Sequence, residues 1–138
     1  MEIINADDFA KHHIRPPKKK RNKYNVAPKE QRTIGTRTYD SKAEAVYANR
    51  LWALVKEGSI IDVVPQPSVQ LGEDSAYRPD FLVIPWEMRP YYVDVKGVRT
   101  SDFKRNVRLW KKYGRLDLHV VERDGDGFAT TEVIGGAS

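Results

Sequence analysis

The sequence predicts an α/β domain with a mixed central sheet flanked by helices, preceded by a basic, flexible arm. Three observations carry this. A helical repeat opens on a capping signal at Ser41, two strand-like stretches flank a turn at residues 85–90, and a basic helical repeat between Thr100 and Gly114 leads into a further strand. Strands interleaved with helices are the pattern of that fold class.

The 138 residues, 40% of them hydrophobic, suffice for one domain with one core and not for two. Cysteine is absent, which excludes disulfides and thiolate metal sites. The longest apolar runs span only a few residues, so neither a membrane span nor a secretory segment is expected, and the expected location is cytoplasmic. Net charge is +5, yet residues 11–32 hold nine Lys/Arg against one acid, about +8, leaving about −3 for the rest. The boundary therefore falls between an arm, 1–35, and a folded domain, 36–138. Lys18, Lys19, Lys20, Arg21 and Lys23 make the arm a partner for a polyanion through counterion release, and its low apolar content and paired prolines make it mobile alone. The stretch Pro17-Lys18-Lys19-Lys20-Arg21 also has the form of a nuclear-import signal, but the rest of the chain favours a DNA-backbone arm. His12 and His13, neighbours in such an arm, are poor candidates for a structural metal site.

Residues 33–39 read as an extended lead-in. Asp40-Ser41-Lys42-Ala43-Glu44 then has the form of a capping box, with Ser41 as N-cap and Glu44 three residues on; the helix runs to about Glu57 and stops at Gly58. Its inward stripe is Glu44, Tyr47, Ala48, Leu51 and Val55. An acid on that stripe closes the capping box, reaches over the sheet toward a cation, or does both, because burying it unpartnered is costly. Residues 59–64 read as a strand broken at Pro65-Gln66-Pro67 and resumed over 68–71, with a turn at 72–75. Two central strands follow, at 78–84 and 91–97. In the second, Tyr91, Val93 and Val95 share one face and Tyr92, Asp94 and Lys96 the other. Paired as a hairpin, the strands set Asp80 across from Asp94. Two carboxylates that close repel unless a cation lies between them, and Mg2+ is the natural occupant, with Mn2+ as the alternative. Lys96 would then orient or deprotonate a metal-bound water at a phosphodiester.

Thr100 or Ser101 caps the second helix. Phe103, Val107, Trp110 and Gly114 form its packing stripe; Lys104, Arg105, Arg108, Lys111, Lys112 and Arg115 form a cationic face with no acid, read as a phosphate-contacting surface. Residues 116–122 and 128–134 read as a strand pair around the Asp124-Gly125-Asp126-Gly127 turn, which lacks the downstream glutamate of a calcium loop.

The order of Glu44 helix, strand, Pro79-Asp80 strand, Asp94-Val95-Lys96 strand, basic helix and strand resembles the PD-(D/E)xK nuclease superfamily over about residues 36–122. More narrowly, the Ser-Lys-x-Glu-Ala helix start, the Gln-Pro before the second strand and the Asp-Val-Lys-Gly end of the third are similar to small phage-encoded proteins resembling archaeal-type Holliday junction resolvases. The resemblance implies a restriction-endonuclease-like core, αβββαβ. It implies Asp80 and Asp94 as metal ligands with the Val95 carbonyl, Lys96 acting on the water, and Glu44 as the further acid. Ser41 and Gln66 match as lesser positions; Gln66 is otherwise a polar residue in a proline-flanked bend. It further implies branched DNA as substrate, a homodimer making paired cuts, no small-molecule cofactor and, for a phage protein, the host-cell cytoplasm. Two alternatives stand beside it. One keeps the fold as a duplex nicking, restriction-like or repair endonuclease; the other is a non-catalytic DNA-binding accessory whose acids form only ion pairs.

Overall fold

A computed structural model describes residues 26–34 and 37–136. They form a mixed α/β domain. A 3-10 turn (Lys29–Arg32) leads into a ribbon of β1 (Thr33–Ile34) and β2 (Arg37–Thr38). Helix α1 (Lys42–Lys56) follows, then β3 (Asp62–Pro65), and a second ribbon of β4 (Val69–Gln70) and β5 (Ala76–Tyr77). The chain continues through β6 (Phe81–Ile84), β7 (Tyr91–Val95), helix α2 (Ser101–Tyr113), β8 (Leu118–Asp124) and β9 (Gly127–Ile134). The main sheet has the order β3-β6-β7-β8-β9. Its pairs are antiparallel except β7 with β8, which α2 joins as a parallel crossover. Among the described residues, no helix is long and apolar enough to cross a membrane.

Each helix begins and ends where its sequence dictates. Ser41 Oγ accepts the Glu44 N–H at 3.0 Å, and α1 stops at Gly58, whose φ of +83° suits a residue without Cβ. Thr100 Oγ1 accepts the Phe103 N–H at 3.2 Å to open α2. The two faces of the sheet carry separate cores. On one, Ala45, Ala48 and Leu51 of α1 meet Phe81, Val83, Val93 and Val95. On the other, Phe103 and Trp110 of α2 meet Leu71, Tyr77, Leu118 and Val120, with Tyr92 packed against them. The alternation along β7 is thus the one its sequence implies.

Some boundaries differ. The central strands are shorter than expected, beginning at Phe81 and ending at Val95. Residues 69–70 leave the main sheet and pair instead with 76–77, because Gln66, held between two prolines at a left-handed φ of +49°, turns the chain out. Arg32 Nη1 donates to the Tyr39 carbonyl and the Tyr39 N–H returns to the Arg32 carbonyl, both at 2.8 Å, so residues 29–34 already belong to the domain. The cations Lys18, Lys19, Lys20, Arg21 and Lys23 lie outside the described residues.

Gly114 ends α2 beneath Trp110, whose indole N–H donates to the Leu116 carbonyl at 2.9 Å. A Cβ on Gly114 would stand 2.6 Å from the indole nitrogen. Gly114→Ala is expected to cost about 1–3 kcal/mol by overpacking, read as a lower urea midpoint at unchanged m-value.

Candidate active site

The hairpin of β6 and β7 brings Asp80 to the site. Phe81 pairs with Val93, and the Asp80 N–H donates to the Val93 carbonyl at 3.0 Å, so Asp80 stands across from Asp94 one step beyond the paired residues. The two carboxylates nonetheless take different partners. Asp80 precedes the first paired residue of its strand, where the pleat no longer fixes the side chain; its Oδ2 accepts the Val95 N–H at 2.6 Å. Val95 meets Asp80 through that N–H, whereas the resemblance assigns its carbonyl.

Asp80 also meets Glu44. Glu44 is 2% exposed, and its Oε1 is buried without a hydrogen-bond partner. Burial, then the charge of Asp80, then that of Asp40 push its carboxyl up to about 9, against smaller lowering by the Gln66 side chain and the Asp40 backbone. Burial likewise pushes Asp80 up to about 6, opposed by the Val95 N–H, the Lys96 charge and a side-chain hydrogen bond with Glu44. At neutral pH the pair therefore retains a proton. Glu44 supplies the N–H that Ser41 caps, while its side chain reaches Asp80 and Gln66. Gln66, which turns the chain at the end of β3, also donates its N–H to the Asp80 carbonyl at 2.8 Å.

Asp94 lies on the α2 side, 2% exposed. Lys96 Nζ lies 2.8 Å from its Oδ1 in an ion pair, and the Tyr77 hydroxyl donates to its Oδ2. Burial raises the Asp94 carboxyl and Lys96 lowers it. The Lys96 ammonium also sits 4.5 Å from the centroid of the Phe103 ring. The structure thus forms two pairs, Glu44 with Asp80 and Asp94 with Lys96, and Lys96 acts electrostatically on both Asp80 and Asp94. Asp40 and Tyr77 escaped the sequence reading. Asp40 precedes the N-cap of α1, a position the capping signal could have flagged, but nothing local marks Tyr77.

Beside Val95 and Lys96 opens a groove of about 520 Å3. One wall is the start of α1, with Asp40, Ser41 and Lys42; the other is Gly97, Val98 and Thr100 at the start of α2, and Val26 and Ala27 also line it. Two helix N-termini facing one groove favour an anion there. Lys104, Arg105, Arg108, Lys111 and Lys112 are all exposed on α2, and none is in an ion pair among the described residues. Arg105 donates to Ser75 Oγ at 3.1 Å.

Among the described residues, no group of three or more His, Asp or Glu side chains is arranged to hold a metal ion. The Glu44–Asp80 pair still fits a hard divalent cation, which is commonly held by one or two carboxylates with water completing its shell, and the unpartnered Glu44 Oε1 is a suitable donor.

A family model matches residues 21–125. The chain belongs to the DUF1064 family. DUF1064 is described as a protein of unknown function, and the match contains Glu44, Gln66, Tyr77, Asp80, Asp94, Lys96 and all of α2. No curated protein matches the chain.

The buried acid pair gives this DUF1064 protein a pH dependence of known sign. A carboxyl raised in the folded state stays protonated while its unfolded counterpart ionises above about 4.5, so stability falls as pH rises from there toward 9. In EDTA, Glu44→Gln is expected to stabilise the protein at pH 7 by up to about 3 kcal/mol, at about 1.4 kcal/mol per unit between 4.5 and 7. The gain should vanish near pH 4, measured by urea unfolding at both pH values.

Proposed function

We propose that the protein is a metal-dependent endodeoxyribonuclease with a restriction-endonuclease-like αβββαβ core, acting on branched DNA as a Holliday junction resolvase. The observation that carries this is the uncompensated acid pair of Glu44 and Asp80 beside the Asp94–Lys96 pair, next to a groove walled by two helix N-termini. The order α1, β3, β6, β7, α2, β8, with β7 and β8 parallel, supports the fold assignment. The resemblance carried by Glu44, Pro79-Asp80 and Asp94-Val95-Lys96 supports the activity. Mg2+, or Mn2+ in its place, would be held by Asp80 and Glu44, with water completing its shell. Bound there, it would supply an acidified water and neutralise charge on the phosphate.

The chain's own groups do the rest. The groove's two helix N-termini favour the phosphodiester's negative charge. Lys96, held by Asp94 and lowering the charge cost at Asp80, would orient the attacking water and stabilise charge developing on the phosphate. The exposed cations of α2 hold the backbone of the flanking duplex without reading its sequence. Paired cuts across a four-way junction require two such sites, hence a two-fold dimer.

One observation favours the non-catalytic DNA-binding reading: Asp94 has both oxygens engaged within the protein, by Lys96 and Tyr77. Cleavage separates the readings. A labelled four-way junction, incubated with Mg2+, is expected to be cut in symmetric pairs by the wild type and neither in EDTA nor by Asp80→Asn; Lys96→Ala should lower kcat by about 100-fold or more with junction binding retained. Equal cutting of a linear duplex of the same sequence would point to a nicking or repair endonuclease. Binding without cutting under any divalent metal would leave a DNA-binding protein.

The basic helix makes a separate prediction. In EDTA, Lys104→Ala, Arg108→Ala and Lys111→Ala combined should weaken binding of any duplex arm, and the slope of log K against log salt should flatten by about 0.9 for each phosphate that is no longer neutralised.

A further inference from the structure

The end of the sheet remote from Asp80 carries the turn between β6 and β7, residues 85–90. The large apolar side chains left exposed among the described residues include two on this turn, Trp86 at 65% and Met88 at 66%. Trp86 is not loose. Its indole N–H donates to the Gly58 carbonyl at 2.8 Å, which presets the ring while most of its surface stays in solvent. Past Met88, the second half of the turn opens a cavity of about 330 Å3. Tyr91 and His119, stacked with centroids 4.1 Å apart, line it with Met88 and Pro90, and Arg89 and Asp117 add charge to its wall. Arg89 is fixed there by donating to the Arg115 carbonyl at 3.1 Å.

A preset aromatic knob and an aromatic-lined hole on one turn can serve each other across a two-fold axis, where a single patch meets its own copy. We infer that this end of the sheet is an interface between two copies of the chain, with Trp86 of each protomer seated in the cavity formed by the partner's Met88 and the partner's His119. The charges on the turn agree. Glu87 and Arg89 are exposed, opposite in sign and placed on either side of Met88, so two turns meeting about Met88 set each Glu87 against the partner's Arg89. A tryptophan whose ring is already held loses little freedom on docking, and buried tryptophans carry much of an interface's affinity. The inference gives the dimer of the nuclease reading a surface, and it rests on that reading for its purpose. Asp80 precedes β6 and Lys96 follows β7, at the other end of these antiparallel strands, so this interface leaves both candidate sites open to DNA.

The test is sedimentation velocity of the full chain over a range of concentrations, in EDTA and without DNA. Wild type is expected to dimerise, and Trp86→Ala to weaken the dimer by about 30-fold or more. Glu87→Arg alone and Arg89→Glu alone should each weaken it by about 10-fold or more, whereas the two variants mixed should form a dimer of near wild-type affinity, because each supplies the charge that the other lacks. The charge swaps leave the bond between Trp86 and Gly58 untouched, so they decide the matter even if Trp86→Ala unfolds. A dimer indifferent to all three variants, or a mixture that associates no better than its components, would overturn the interface. So would a chain that stays monomeric; junction binding weakened by Trp86→Ala would then make the turn a nucleic-acid contact. The nuclease reading fails separately: a wild-type dimer that behaves as expected but cuts no junction keeps the interface and loses the nuclease, while paired cutting by a Trp86→Ala protein that remains dimeric keeps the nuclease and loses the interface.

Discussion

Two carboxylic acids cannot both ionise when buried side by side, and the site is built around that constraint. Glu44 reaches it from the first turn of α1, Asp80 from the foot of β6, and neither has a cation of its own. Their surroundings accept the cost and do not remove it. The Val95 N–H and the Lys96 charge favour an ionised Asp80, while Glu44 remains the member that holds the proton. A protein selected only for stability would replace this pair with an apolar contact, as burying acids without compensation is unfavourable. Strain adds to the cost: Gln66 adopts a left-handed backbone that side chains other than glycine rarely take, and it does so while touching both acids' surroundings.

The sheet divides the labour. Its α1 face carries the acid pair over the core that Tyr39, Ala48, Leu51 and Phe81 build, and its α2 face carries Asp94, Lys96 and Tyr77 over the one built on Trp110 and Phe103. Each half of the site is thus held by a different core. A disturbance in the α2 packing would reach Asp94 and Lys96 first and leave Glu44 in place.

What the sequence disclosed and what it hid follow a physical rule. Features encoded by neighbours were legible: the Ser41 and Thr100 caps, the stop at Gly58, the alternation that puts Val93 and Asp94 on opposite faces, and the acid on the inward stripe of α1. Features set by distant contacts were not. The carboxylate of Asp80 follows Glu44 and the Val95 N–H in place of the strand alternation, because it sits beyond the last paired residue. Tyr77 meets Asp94 across 17 positions through a ribbon whose pairing no local pattern announces. The early start of the domain was hidden for the same reason: Arg32 sits in a basic run, and only the carbonyl of Tyr39 reveals that it packs.

Val26 and Ala27 line the groove together with the starts of both helices, so the first described residues of the chain share its opening with Ser41 and Thr100. The width of that opening is therefore set by the path of the chain ahead of the domain as well as by the two helices.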